Sequence, residues 1–314
     1  MVSGEAKVNE EAVPAVVAPT TVTLGDRMKQ IEAESESITR IHPTEGFIIR
    51  LDGKNFSTFT RGFKKPFDPL FMEAMVRTTQ DVVSKFNPTT GYTHSDEITL
   101  IFPPLLRQEE YDEIDDNKPV RQFNGRVSKL LTLTAGYVSV RFNFHIWNLL
   151  EPRIDEYKEG FVKKVYSHQQ MFDARLMVFP DWKQVASHQV WRQRDCFRNS
   201  ISQIARMYFS NKQLHGKKTP EQIKMIIAEG VASPEELESY QRYLSGVYIK
   251  KEKYEKTVTF TVKSVTRTET AVRTRETGKQ MGFTHWTDEV VTLLTSKYWD
   301  PEQLASKKFE ISIS

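Results

Sequence analysis

The apolar positions between residues 47 and 179 change period in an order that describes a fold. Phe47 to Leu51 is a short apolar run ending on Asp52-Gly53, the pattern of a strand that delivers an acid to a turn. Pro66-Phe67-Asp68 then opens a segment in which Phe71, Met75, Val82 and Phe86 recur near helical spacing, and Asn87-Pro88 stops it. Gly91 to His94 and Ile98 to Phe102 read as the arms of a hairpin with Ser95-Asp96-Glu97 at its tip. After an acidic loop from Glu109 to Asp116, a second helix from about Gly125 to Trp147 offers Val127, Leu130, Leu131, Thr134, Tyr137 and Val138 as its buried face. Ala174 to Phe179 closes the set as a strand. The order is βαββαβ, the split arrangement of a ferredoxin-like α+β fold, and pairing of the first strand with the central hairpin brings Asp52 near Asp96.

The flanks read differently. Residues 1–24 mix Val, Ala, Pro and Glu without a period and are expected to be a disordered tail. Gly25 to Arg40 is expected to form an amphipathic helix carrying Met28, Ile31 and Ile38 on one side. Past Pro180 the pattern is helical from Trp182 to about Phe209, then a basic loop from Lys212 to Lys218, then helices on either side of Gly230. Thr257 to about Arg275 and Glu289 to Leu294 have the β-branched content of strands. The expected division is a tail over 1–24, a catalytic unit over 25–180, and a helical and β extension over 181–314 that binds RNA.

Composition narrows the class. At 314 residues and 39% hydrophobic, the chain suits a globular protein with a sizeable core. No apolar run approaches the roughly 18 to 20 residues that span a bilayer, so no membrane partner is expected. Glu5, Glu10 and Glu11 near the start resemble neither a signal nor a transit peptide, which makes the cytoplasm the expected address, with the mitochondrion left open. The lone cysteine, Cys196, excludes an intrachain disulfide and a multi-cysteine zinc site. Lys and Arg number 44 against 41 Asp and Glu, a net of +3 that is too mild to mark a nucleic-acid binder by itself. Its distribution says more: from Lys250 to Lys279 basic residues alternate with Thr, Val, Tyr and Phe, as in a ribbon that tracks phosphates or an edge hairpin guarded by lysine.

Candidate chemistry centres on Asp52 and Asp96. Either acid alone sits in a common turn motif; together on adjacent strand ends they call for a divalent cation, and Gly53 lets its carbonyl approach one. That is the arrangement of two-metal phosphoryl or nucleotidyl transfer. Lys54 lacks the upstream glycine of a phosphate-binding loop, and no helical zinc-hydrolase motif is present.

Six co-linear motifs then carry a resemblance. Arg50-Leu-Asp-Gly-Lys-Asn-Phe56, Phe63-Lys-Lys-Pro66, His94-Ser-Asp-Glu97, Ser128-Lys129, Phe172-Asp-Ala-Arg175 and Trp191-Arg-Gln-Arg-Asp-Cys196 resemble the tRNA(His) guanylyltransferase family, including its guanylyltransferase-like reverse polymerases. The resemblance implies a polymerase-type palm that adds nucleotides to the 5′ end of tRNA, with ATP and GTP or other nucleoside triphosphates as substrates. It implies catalytic Asp52, Asp96 and Glu97, and two Mg2+ ions on Asp52, Gly53 and Asp96. It also implies nucleotide contacts from Lys54, Asn55, Phe56, Lys65, Ser95 and Lys129. RNA contacts are expected from Arg175, Arg192, Arg194, Asn199, Lys263 and Arg267, and assembly as a homotetramer.

One departure sets the finer expectation. After Asp195-Cys196, eukaryotic members have a run beginning His-Ile-Asn-Asn, whereas this chain reads Phe197-Arg-Asn-Ser-Ile-Ser202. Phe197 thus replaces a histidine tied to activation of the RNA end, and Ser57 stands where many members have histidine. The expected activity is therefore template-dependent repair or editing of tRNA 5′ ends, with guanosine addition to histidine tRNA as the alternative. A nucleotidyl cyclase and a non-catalytic RNA-binding module are more remote alternatives.

Overall fold

The computed structural model describes residues 40–179, 181–262, 265–283 and 285–300. The expected tail, nearly all of the helix expected before residue 40, and Lys263 lie outside the described residues. Strands β1 (Phe47–Gly53), β2 (Thr90–His94), β3 (Glu97–Phe102) and β4 (Phe172–Val178) alternate with α1 (Pro69–Phe86) and α2 (Val127–Leu150) in the expected βαββαβ order. The four strands pair antiparallel as β4-β1-β3-β2, the ferredoxin-like arrangement.

Local chemistry explains the boundaries. The Asp68 carboxylate caps α1 by accepting from the Leu70 amide at 2.9 Å, and Asn87 ends the helix in the left-handed region at φ 55. A short helical turn, Phe56–Phe59, follows β1 and carries no sequence period long enough to announce it. Gly53 is required there: a Cβ would lie 2.4 Å from the Phe56 ring.

The sheet is covered on both faces, which is why β2 and β3 are buried throughout instead of alternating. Phe47, Ile49, Leu51, Ile98 and Leu100 pack against α1 and α2 in the main core. Ile48, Tyr92 and Ile101 point the other way into a second core. Its other wall comes from α3 (Trp182–Tyr208) and from α7 (Asp288–Thr295). Between them in sequence come α4 (Thr219–Ala228), α5 (Pro234–Ser239) and α6 (Gln241–Ser245), which build a third apolar cluster against the C-terminal half of α3.

Two features depart from the sequence pattern. Residues 289–294 form the inner part of α7, a helix and not a strand, because Val290, Leu293 and Leu294 recur at helical spacing toward the core. The basic segment is one long hairpin, β5 (Val247–Val262) and β6 (Val265–Lys279), and β5 pairs with β2 through Gly91, Tyr92 and Thr93. The sheet is thus six-stranded and carries residues from both sides of position 180.

Candidate active site

A two-residue turn at Ser95-Asp96 sets the geometry. It places His94 opposite Glu97, while Glu97 lies opposite Asp52 and Asp52 opposite Asp173. Directly opposed residues share a face, so Asp173, Asp52, Glu97 and His94 form one row across four strands, on the side facing α3. Ser95 takes a positive φ of 46 at the turn, and its hydroxyl bonds the Asp96 carboxylate at 2.9 Å. The Gly53 amide donates to the Asp96 carbonyl at 3.1 Å, tying the end of β1 to the hairpin tip. Asp52 and Asp96 are therefore brought together as the sequence pattern requires.

These acids open onto a cavity of about 290 Å³ between the sheet, the segment around residues 60–72, and α3. Lys64 and Lys65 stand on one side, and Arg192, Cys196, Asn199 and Gln203 of α3 on the other. A second groove continues from it along α3, lined by Lys65, Arg198, Asn199 and Arg206.

Electrostatics distinguishes the acids. Burial raises the Asp96 carboxyl above its usual range, and the neighbouring Asp52 charge adds to that, against the Ser95 hydrogen bond. Burial also raises Glu97, opposed by Arg192. Glu97 accepts hydrogen bonds of 2.7 Å from both Nε and Nη2 of Arg192. Arg192 also reaches Asp195 at 3.2 Å. Burial, and then Arg192, lower His94 to about 3, and burial raises the Cys196 thiol to about 12, which removes it as a nucleophile.

Among the described residues no cluster of three or more His, Cys, Asp or Glu side chains is arranged to hold a metal. The oxygens that the turn does bring together are those of the Asp52 and Asp96 carboxylates. That set suits magnesium, which keeps several waters and shares substrate phosphates, better than zinc.

Several expected contacts need correction. The Phe56 ring is 2% exposed and stacks among Phe59, Phe142 and Phe172, so it supports the loop from inside and does not face a nucleotide. Arg192 is buried and committed to Glu97, which removes it from an RNA surface and removes Glu97 as a free acid. Lys54 and Asn55 are exposed beside the strand end, and Lys129 is half-buried near the start of α2; none lines the cavity. Lys65 and Ser95 do line it. Arg175 is exposed on β4, 3.6 Å from Asp173. Arg194 and Asn199 are exposed on α3, and Arg267 is exposed on the ribbon. Phe197 packs against the third apolar cluster, away from any proton-transfer role. Sequence reasoning does not single out His94 and Asp173 as site residues, although the two-residue turn and the strand register would put both in the Asp52 row.

Comparisons with known proteins bear on family and fold. A family model described as tRNAHis guanylyltransferase matches residues 25–180. An uncharacterized protein of Acanthamoeba polyphaga mimivirus is 38% identical over 232 residues, 73% of this chain and 77% of that protein. A tRNA(His) guanylyltransferase of Debaryomyces hansenii is 28% identical over 177 residues, 55% of this chain and 57% of its own length. The chain thus spans little more than half of that curated enzyme. Among solved structures, a bacterial tRNA(His) guanylyltransferase-like protein in complex with ATP superposes with a TM-score of 0.57 at 25% identity, covering 72% of this chain and 88% of that one.

Proposed function

Because the chain belongs to the tRNA(His) guanylyltransferase family, whose members are nucleotidyltransferases, we propose that it adds guanosine to the 5′ end of a histidine tRNA. The observation that carries the reading is that Asp52, near the end of β1, and Asp96, in the adjoining hairpin turn, come together at a cavity flanked by Lys64 and Lys65. Asp52, Asp96 and the Gly53 carbonyl would hold magnesium. When bound, magnesium supplies charge neutralisation at the transferring phosphoryl group and eases ionisation of the attacking hydroxyl. Lys65 offsets triphosphate charge, and the Arg192 clamp on Glu97 keeps the floor of the cleft rigid while substrates exchange.

The groove along α3 is the proposed path of the RNA end, since Lys65, Arg198 and Arg206 offer positive charge continuous with the cavity. Asn199 lines the same groove, and Arg175 on β4, Arg194 on α3 and Arg267 on the ribbon are proposed as further contacts to the tRNA. Assembly as a homotetramer belongs to the same reading. No described helix is long and apolar enough to cross a membrane.

A second reading has its own observation. Phe197 lies in an apolar cluster at the position where the resemblance calls for histidine, and that favours templated repair of several tRNAs over histidine-tRNA maturation. Labelled nucleotides offered with histidine tRNA lacking its extra guanosine, and with 5′-truncated tRNAs of other identities, separate the two. Guanosine addition confined to histidine tRNA supports the first reading. Extension of many truncated tRNAs up to a complete acceptor stem supports the second, and transfer to neither overturns both.

A further inference from the structure

Trp191 on α3 is 54% exposed. The Arg192 guanidinium lies over its ring at 4.6 Å, and the His188 ring meets it edge-on with centroids 5.5 Å apart. Arg192 is itself clamped by Glu97, and His188 packs on Phe179 just past β4, so the indole is supported on its protein side while more than half of it stays open to water. A single exposed apolar residue is ordinary on a protein surface; an indole mounted this firmly among cations is not. The helix sets its place relative to the cleft. Trp191, Asp195, Arg198 and Ser202 recur at helical spacing and share one flank of α3. Arg198, Ser202 and Arg206 line the groove proposed as the RNA path, and Arg192 and Asn199 border the cavity. Trp191 therefore stands on the other side of the cleft from that groove, about 10 Å along the helix axis from Arg198.

We propose that Trp191 is a stacking platform for an unpaired base of the RNA 3′ overhang. The proposal rests on the nucleotidyl-transfer reading above. A tRNA whose 5′ end is to be extended is a duplex end past which the opposite strand runs on unpaired. With the duplex over Arg198 and Arg206 and its 5′ phosphate at Asp52 and Asp96, that overhang is the part that continues beyond the cleft toward Trp191. Unpaired bases present the flat faces that a duplex hides, and an indole stacks on any of them. Arg175, on the sheet face that α3 covers, and Arg194 supply positive charge for the overhang phosphates. The nearby acids do not cancel it, since Asp173 lies 3.6 Å from Arg175 and Asp195 lies 3.2 Å from Arg192. The same charges disfavour a second copy of the chain, because a two-fold contact here sets one basic patch against another.

Equilibrium binding of histidine tRNA lacking its extra guanosine, either intact at the 3′ end or trimmed of its unpaired 3′ nucleotides, tests this with the full chain as wild type, Trp191→Leu and Trp191→Phe. We expect trimming to weaken binding by wild type about tenfold, and Trp191→Leu to lose about tenfold on the intact tRNA and almost nothing more on the trimmed one. Trp191→Phe can still stack and should keep most of the affinity. No effect of trimming on wild type, an equal effect of trimming on wild type and Trp191→Leu, or unchanged affinity of Trp191→Leu for the intact tRNA overturns the proposal. A smaller assembly of Trp191→Leu in sedimentation without RNA assigns the ring to a contact between copies and also overturns it. Should Trp191→Leu fail to fold by circular dichroism, tryptophan emission decides. Stronger quenching of wild type by intact than by trimmed tRNA, with the difference gone in Trp191→Phe, supports the proposal; no difference in wild type, or one that persists in Trp191→Phe, overturns it. Because the readout is binding alone, a tRNA that shows these effects but receives no nucleotide would reject the proposed function and leave the Trp191 contact standing.

Discussion

Glu97 and Arg192 are joined by two parallel hydrogen bonds of 2.7 Å, one from each of two guanidinium nitrogens, inside the interface between the sheet and α3. The link fixes the helix that forms one wall of the cleft to the strand that follows the Ser95-Asp96 turn. It also engages both oxygens of the acid that follows Asp96 in sequence.

Breaking this pair from the arginine side strands a buried carboxylate. Arg192→Met should destabilise the fold by about 3–5 kcal/mol, and adding Glu97→Gln should recover much of the loss. Urea denaturation of the two single variants and the double variant measures this. Additive losses would mean that the two residues act independently.

Lys250 has no carboxylate partner among the described residues; its amine bonds Thr90 Oγ1 at 3.2 Å and Ser296 Oγ at 3.0 Å, and also the Leu293 and Ser296 carbonyls at the end of α7. Burial lowers it to about 7 from the ordinary 10.5. Between those values the unfolded chain binds more protons than the folded one, so stability rises with pH through the window. Thermal unfolding at pH 7 and 8.5 should show a higher Tm at the higher pH. The rise should shrink in Lys250→Met, and an equal rise in both would remove Lys250 as its source.

Gly53 lets the Phe56 ring lie against the end of β1. Gly53→Ala forces the ring or the strand end to move, with an expected cost of roughly 1–3 kcal/mol and a loss of transfer activity larger than the loss of folded protein. Wild-type turnover in this variant would show that the loop tolerates displacement.

The ribbon presents two chemically different faces. Three threonine pairs, Thr257 with Thr270, Thr259 with Thr268 and Thr261 with Thr266, bond across one face at 2.9, 3.0 and 3.1 Å. Tyr254, Lys256, Arg267 and Arg273 alternate onto the other. If that basic face holds tRNA phosphates, Arg267→Glu with Arg273→Glu should lower the salt dependence of tRNA affinity by about one unit of log-log slope for each phosphate no longer neutralised. A slope indifferent to both changes would move the RNA surface elsewhere.

Much of this was legible in the chain, for physical reasons. Strand and helix periods in the palm are set by local burial, so β1, α1, the hairpin and α2 follow from spacing, and Asp52 with Asp96 follows from their order. The segment 289–294 misled because a short β-branched apolar run fits both periods until its neighbours decide, and here the core beside Tyr248 takes one face of a helix. The Glu97 link to Arg192 joins residues 95 positions apart and depends on how α3 crosses the sheet, which no local pattern records. Phe56 looked available because its motif neighbours are polar, and only the tertiary aromatic cluster shows where its ring goes.

The central claim is that Asp52 and Asp96 support nucleotidyl transfer to a tRNA 5′ end. Its most direct test is single-turnover addition of labelled nucleotide to tRNA across a magnesium titration, with wild type, Asp52→Asn and Asp96→Asn, each first shown to be folded. The account predicts magnesium-dependent addition by wild type and a loss of about a thousandfold or more in either variant, on the scale of about 4 kcal/mol of transition-state stabilisation. Addition within about tenfold of wild type in either variant, or addition by wild type without a divalent cation, would contradict it.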